Sequence, residues 1–161
     1  MNENHFENLK AKIESSVKNT ITELSNTNLK QLENKVVENI QGGISPVEGA
    51  GRFVNYSDSY RNAISKNRYS KFNKKLRPVN LTLSGDMLKS IYTQKTSEGF
   101  LIGFKDELAH IHTVEGAGKS KTIRKLLPQG SEYFSNAITS FLRKTVSDSW
   151  VSAFNKAKDK L

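Results

Sequence analysis

The sequence predicts an α+β fold: a small antiparallel sheet with a β-hairpin packed by helices, flanked by long N-terminal and C-terminal helical segments. Three observations lead there. Apolar residues at three- and four-residue spacing run through both ends of the chain, the mark of amphipathic helices. Two short apolar runs, Tyr92–Thr96 and Phe100–Phe104, flank Ser97-Glu98-Gly99 in the middle, a hairpin signal. The 161 residues are 35% apolar and 25% charged, with a mean hydropathy of −0.59. That supports one modest core in a single domain, 1–161, rather than two sizeable ones.

Residues 1–42 are predicted to form the N-terminal helices. Phe6, Leu9, Ile13, Val17, Ile21 and Leu24 make one stripe, and Leu29, Leu32, Val36 and Ile40 a second, rotated from the first. Ser25-Asn26-Thr27-Asn28 between them favours caps and turns, with Asn28 and Gln31 able to act as N-cap and N3 partner. Gly42-Gly43 stops the second helix. A coiled-coil arm is the competing arrangement, but three to four sustained heptads are lacking.

Residues 43–78 read as a loop, a short helix and a basic segment. Gly43, Pro46, Gly49 and Gly51 mark the loop. Ser57 or Asp58 can cap a helix carrying Tyr60, Ala63 and Ile64. Val79-Asn80-Leu81-Thr82-Leu83 alternates with period two and predicts a half-buried strand. Ser84 then caps a short helix through Met87, Leu88 and Ile91. After the hairpin, Pro128 and Gly130 precede a helix opened by Ser131, with Phe134, Ala137, Ile138, Phe141, Leu142 and Thr145 on one face. The stripe Trp150, Phe154, Ala157 and Leu161 is offset, so Ser147-Asp148 is predicted to break the helix and start a C-terminal one over 146–161.

Charge is concentrated. The net charge is +9, yet residues 1–40 carry five Lys against six Glu. Arg61, Lys66, Arg68, Lys71, Lys74, Lys75 and Arg77 stand in 61–77 without one acid, a local +7. Tyr69 and Phe72 interleave with them, a pattern compatible with phosphate pairing plus base stacking. The same charges suit a solvated linker, or one that pairs with an acidic neighbouring subunit.

Catalytic and cofactor signals fail one by one. Cysteine is absent, which excludes disulfides, thiolate metal sites and a cysteine nucleophile. No run approaches 18 apolar residues, and MNENHFENLK is not a secretion signal, so no membrane partner and synthesis in the cytoplasm are expected. Gly116-Ala117-Gly118-Lys119-Ser120 resembles the end of a P-loop, but Thr113 stands where that motif needs Gly. A flexible Gly/Lys loop fits better than a nucleotide site. His110 and His112 share a face only on a strand; if Asp106 caps a helix, they diverge. With Glu107 and Glu115 they fall short of a convincing zinc set, and His5 is far away. Ser84-Gly85-Asp86 and Ser147-Asp148 have cap explanations, and no Gly-x-Ser-x-Gly elbow occurs. No enzyme activity and no cofactor are expected.

Leu83-Ser84-Gly85-Asp86-Met87-Leu88-Lys89-Ser90-Ile91 resembles the Gly-x-Leu-x-x-Ser-Ile segment of tailed-phage tail-completion (neck) and related virion-morphogenesis proteins. In that family a hairpin follows, here Tyr92–Phe104, and then an Ala-x-x-His-x-x-x-Gly stretch, here Ala109 to Gly116. An Arg-Pro-Phe-Leu stretch and a long helix come next; this chain has Arg124-Lys125-Leu126-Leu127-Pro128 with Pro at the end. The similarity spans 79–145, which would be the α+β core. It implies a protomer without cofactor or catalysis that forms a homo-oligomeric ring at the head–tail junction of the virion. Assembled in the host cytoplasm, that ring joins the portal/connector to tail-tube or tail-terminator proteins, with non-specific DNA contact in the channel. Arg61, Lys66, Arg68, Lys71, Lys74, Lys75 and Arg77 are then candidates for DNA or partner contact. Gly116, Gly118, Lys119 and Lys121 are candidates for a mobile inter-subunit loop. The rival reading is a free, non-enzymatic nucleic-acid-binding protein using 61–77. A nucleotide-dependent enzyme built on 116–120 is a third.

Overall fold

A computed structural model describes residues 15, 26–69, 74–82, 85–97 and 99–158. Helix α1 spans Asn26–Gln41, α2 Asp58–Ser65 and α3 Asp86–Lys89. Strands β1 (Ile91–Lys95) and β2 (Phe100–Phe104) follow, then α4 (Glu107–His110), a π-helical turn over Ile111–Glu115, and α5 (Asn136–Lys158). The fold is α+β, with a two-stranded antiparallel sheet among the described residues.

Helix α1 is the centre of the core. Leu29, Leu32, Val36 and Ile40 recur at helical spacing and all are buried, Val36 and Ile40 completely. Leu32, Val36 and Ile40 pack with Phe53, Met87, Leu88, Ile91, Leu126 and Ile138 in one cluster. The helix closes at Gly42-Gly43, where Gly43 N–H donates to the Ile40 carbonyl and Ile44 N–H to that of Asn39. These are the paired bonds of a Schellman cap. Buried Glu33 fastens α1 to the sheet: Oε1 accepts from Thr93 Oγ1 at 2.9 Å, while Oε2 takes Lys30 Nζ at 2.7 Å. The predicted helix over residues 6–24 lies outside the described residues apart from Ser15, which is helical.

The loop after α1 is well anchored. Ser45 Oγ donates to the Lys125 carbonyl at 2.7 Å, Val47 bridges Phe134, and Ser135 N–H donates to the Pro46 carbonyl. Helix α2 forms as the sequence predicts and buries Ile64.

The expected strand over 79–83 does not form in its described part, 79–82. Val79, Asn80 and Leu81 are buried in succession instead of alternating, and Leu81 has φ 48°. Thr82 Oγ1 donates to the Asn80 carbonyl and Leu81 N–H to the Tyr56 hydroxyl, so side chains occupy groups a ladder would need. The Arg77–Pro78 peptide bond is cis. Leu83 and Ser84 lie outside the described residues. Gly85, not Ser84, is the N-cap of α3: its φ of 87° reverses the chain where a side chain would be strained.

Helix α3 ends at Ser90, and Ile91 already belongs to β1. The hairpin pairs Ile91 with Phe104 through to Lys95 with Phe100, one residue earlier than expected on its first strand. Ser90 stitches its base: Oγ donates to the Met87 carbonyl at 2.7 Å and accepts from Asp106 N–H at 3.1 Å. Asp106 then caps α4, accepting from Leu108 N–H at 2.9 Å.

The final helix also departs from expectation. It begins at Asn136 rather than Ser131, because 133–135 are taken up pairing with the 46–48 loop. It runs unbroken past Ser147-Asp148 to Lys158. Thr145 and Ser149 turn their hydroxyls back onto the carbonyls of Phe141 and Thr145, so they stay inside the helix. No helix among the described residues is long and apolar enough to cross a membrane.

Candidate functional site

The basic segment follows from two local facts. Helix α2 ends at Ser65, and the chain then turns through Asn67 at φ 55°. Residues 70–73 lie outside the described residues; beyond them, Pro78 sits against Gly43. Arg61, Lys74, Lys75 and Arg77 thereby line one open groove of about 950 Å³ with Asp58, Asn62 and Asn67. Arg77 also lines a second depression of about 420 Å³, shared with Arg52 and Asn55. Arg52 is a basic contributor the sequence reading did not include.

The seven candidate cations are not equivalent. Lys66, Arg68, Lys75 and Arg77 are exposed, but Lys66 and Arg68 do not line the groove. Lys71 and Phe72 lie outside the described residues. Arg61 bonds Asp58 across one helical turn at 3.1 Å, so an acid from just outside the segment sits within the patch. That exposed pair contributes little to stability. Lys74 is half-buried, its Nζ 4.8 Å from the Tyr56 ring centroid and 5.8 Å from that of Tyr60.

Of the two interleaved aromatics, Tyr69 is described. Tyr69 packs on Tyr60 with centroids 5.2 Å apart, and Tyr60 meets Tyr56 edge-on at 5.1 Å. The three rings thus pack on one another in a row. Burial pushes the Tyr56 phenol up to about 12, against a smaller opposing effect of the Leu81 N–H bond. Burial followed by repulsion from Arg124 brings Lys74 down to about 8.

The sequence reading missed Arg124. It comes from the stretch after the Gly/Lys loop, yet its Cζ lies 5.7 Å from the Tyr56 centroid, and its backbone N–H donates to the His112 carbonyl at 2.7 Å. Nothing in local spacing announces this, because Tyr56, Lys74 and Arg124 come together only in the folded chain. The two histidines follow the helical alternative: His110 ends α4 and lies 3.7 Å from Glu115, while His112 turns inward. Among the described residues no group of three His, Asp or Glu is placed to hold a metal.

The 116–121 loop is a closed turn. Ala117 and Thr122 exchange backbone bonds of 2.9 and 3.0 Å, and Lys121 N–H donates to the Gly118 carbonyl. Gly116 has φ 81°, and a Cβ there would fall 2.2 Å from the Lys121 carbonyl oxygen, so the turn closes only around glycine. Lys119 and Lys121 project as exposed cations while Gly116 is buried. The turn is held by its own backbone hydrogen bonds. The turn does not precede a helix, so it lacks the strand–loop–helix frame of a P-loop.

Comparison with protein-family models, with curated proteins and with solved structures returns no match.

Proposed function

We propose that this chain is a non-enzymatic structural subunit of a tailed-phage virion, a neck or tail-completion protein that assembles as a ring at the head–tail junction. The observation that carries this reading is the continuity of the segments behind the resemblance. Gly85 turns the chain, α3 buries Met87 and Leu88, Ser90 ties α3 to the hairpin, and the 109–116 stretch follows directly. Those residues build one packed unit. Exposed Leu101, Leu108, Val114 and Ile123 around it offer apolar surface to neighbouring copies. The basic groove, with Arg61, Lys75 and Arg77 reaching solvent, suits a wall past which DNA travels.

Size-exclusion chromatography with light scattering, alone and with portal protein, tests this. A species of many copies, or a stable complex with the portal, is expected. A monomer that ignores the portal would contradict it. The groove favours one second reading, a free DNA-binding protein: a monomer with salt-dependent duplex affinity and no affinity for virion proteins would establish that instead.

A further inference from the structure

Gly43 and Pro78 bring two arginines to one depression. A Cβ on Gly43 would fall 2.6 Å from the Pro78 Cβ, so the bare glycine lets Pro78, with Arg77 before it, lie directly against the loop after α1. That loop holds Arg52 in place. Phe53 N–H donates to the Gly43 carbonyl at 2.9 Å and Ser45 N–H to the Gly51 carbonyl at 2.8 Å, which sets Arg52 opposite Ile44 in an antiparallel bridge. Arg52 and Arg77 thus line the same depression of about 420 Å³, with Asn55 and the apolar Phe53, Pro78 and Val79. Phe53 and Val79 are buried, so these walls belong to the core. No carboxylate lines the depression, and among the described residues neither arginine is ion-paired. Arg77 also lines the larger groove, whose Asp58 is already held by Arg61 at 3.1 Å.

We propose, on the reading that the groove faces DNA, that this depression is a phosphate subsite extending it, so that a DNA backbone crosses Arg77 and sets a phosphodiester between Arg77 and Arg52. Two things favour phosphate. A guanidinium fork covers one edge of a carboxylate by itself, whereas two guanidinium groups from separate stretches of chain suit the several oxygens of a phosphate, approached from different directions. Arg77 is also shared by both depressions, so a ligand that fills both must carry negative charge repeated along its length, as a nucleic-acid backbone does. Arg52 and Arg77 are exposed side chains on anchored backbone, so binding orders two side chains and no loop. Contacts of this kind position a duplex without selecting its sequence.

Fluorescence anisotropy of the full chain on a short labelled duplex is the test. Arg52→Gln should weaken binding about tenfold, whatever the duplex sequence. Arg68→Gln removes the same charge from an exposed position that lines neither depression, and should leave affinity nearly unchanged. Combined with Arg77→Gln, Arg52→Gln should cost less than the product of the two single losses, because both arginines hold one phosphate. Circular dichroism checks that the variants fold. An Arg52→Gln chain that binds like Arg68→Gln, while Lys75→Gln still loses affinity, would overturn the subsite and leave the DNA-facing groove intact. A parent chain with no duplex affinity would overturn both. A poly-glutamate of matched charge that displaces the duplex as well as unlabelled duplex does would assign the depression to an acidic protein and overturn phosphate.

Discussion

Leu88 and Lys89 are neighbours in α3 with opposite fates: Leu88 is 3% exposed in the core, and Lys89 faces solvent. Leu88→Ala should cost about 2–5 kcal/mol through lost transfer energy and a cavity, and Lys89→Ala about 0.5 kcal/mol or less. Urea melts of the two variants check this, and equal stabilities would misplace α3. His112 gives a pH prediction. Burial, then Arg124 and Lys74, lower its pKa from 6.5 to about 4. Between those values the unfolded chain binds a proton that the folded chain refuses, so stability falls as pH drops through that window. The full effect is on the order of 3 kcal/mol. Melts at pH 7 and pH 4.5 in phosphate-free buffer should show a shallower acid loss in His112→Gln than in the parent. Identical slopes would place His112 in contact with water.

At the scale of elements, the sequence was most legible where one face of one element meets the core. The α1 stripe, the α2 stripe and the hairpin all carry their periodicity openly. The segment 79–83 misled because its alternation is real but its hydrogen bonds are claimed by Tyr56 and by its own side chains, and Leu81 takes a left-handed turn. The C-terminal helix misled in the opposite sense: Ser147-Asp148 resembles a cap, yet the neighbouring hydroxyls bond within the helix. Asp148→Pro separates the two arrangements. At the first position of a new helix proline is tolerated, whereas inside a continuous helix it costs roughly 3 kcal/mol or more. The continuous α5 predicts loss of helical signal by circular dichroism and a lower melting temperature. Retention of both would restore the break. The basic segment was visible as charge, but its division into groove-lining and outlying cations was not. Nor was the burial of Lys74 against Tyr56 and Arg124, which depends on contacts between residues far apart in the chain.

At the scale of the molecule, the proposed role assigns the groove cations to DNA and the exposed apolar residues to assembly. Lys75→Glu with Arg77→Glu should leave the protomer folded, because both side chains are exposed. Duplex affinity should fall at least tenfold, and the slope of log K against log salt should become shallower by about 2, roughly one for each lost phosphate contact. Fluorescence anisotropy across a salt series measures both; an unchanged slope would remove the groove from the DNA path. The central claim, a ring-forming virion subunit, is tested most directly by electron cryo-microscopy of the chain mixed with portal protein. The account predicts a closed ring coaxial with the portal channel, with the Arg61, Lys75 and Arg77 face toward the lumen. Single 18.1 kDa protomers beside bare portals would contradict it.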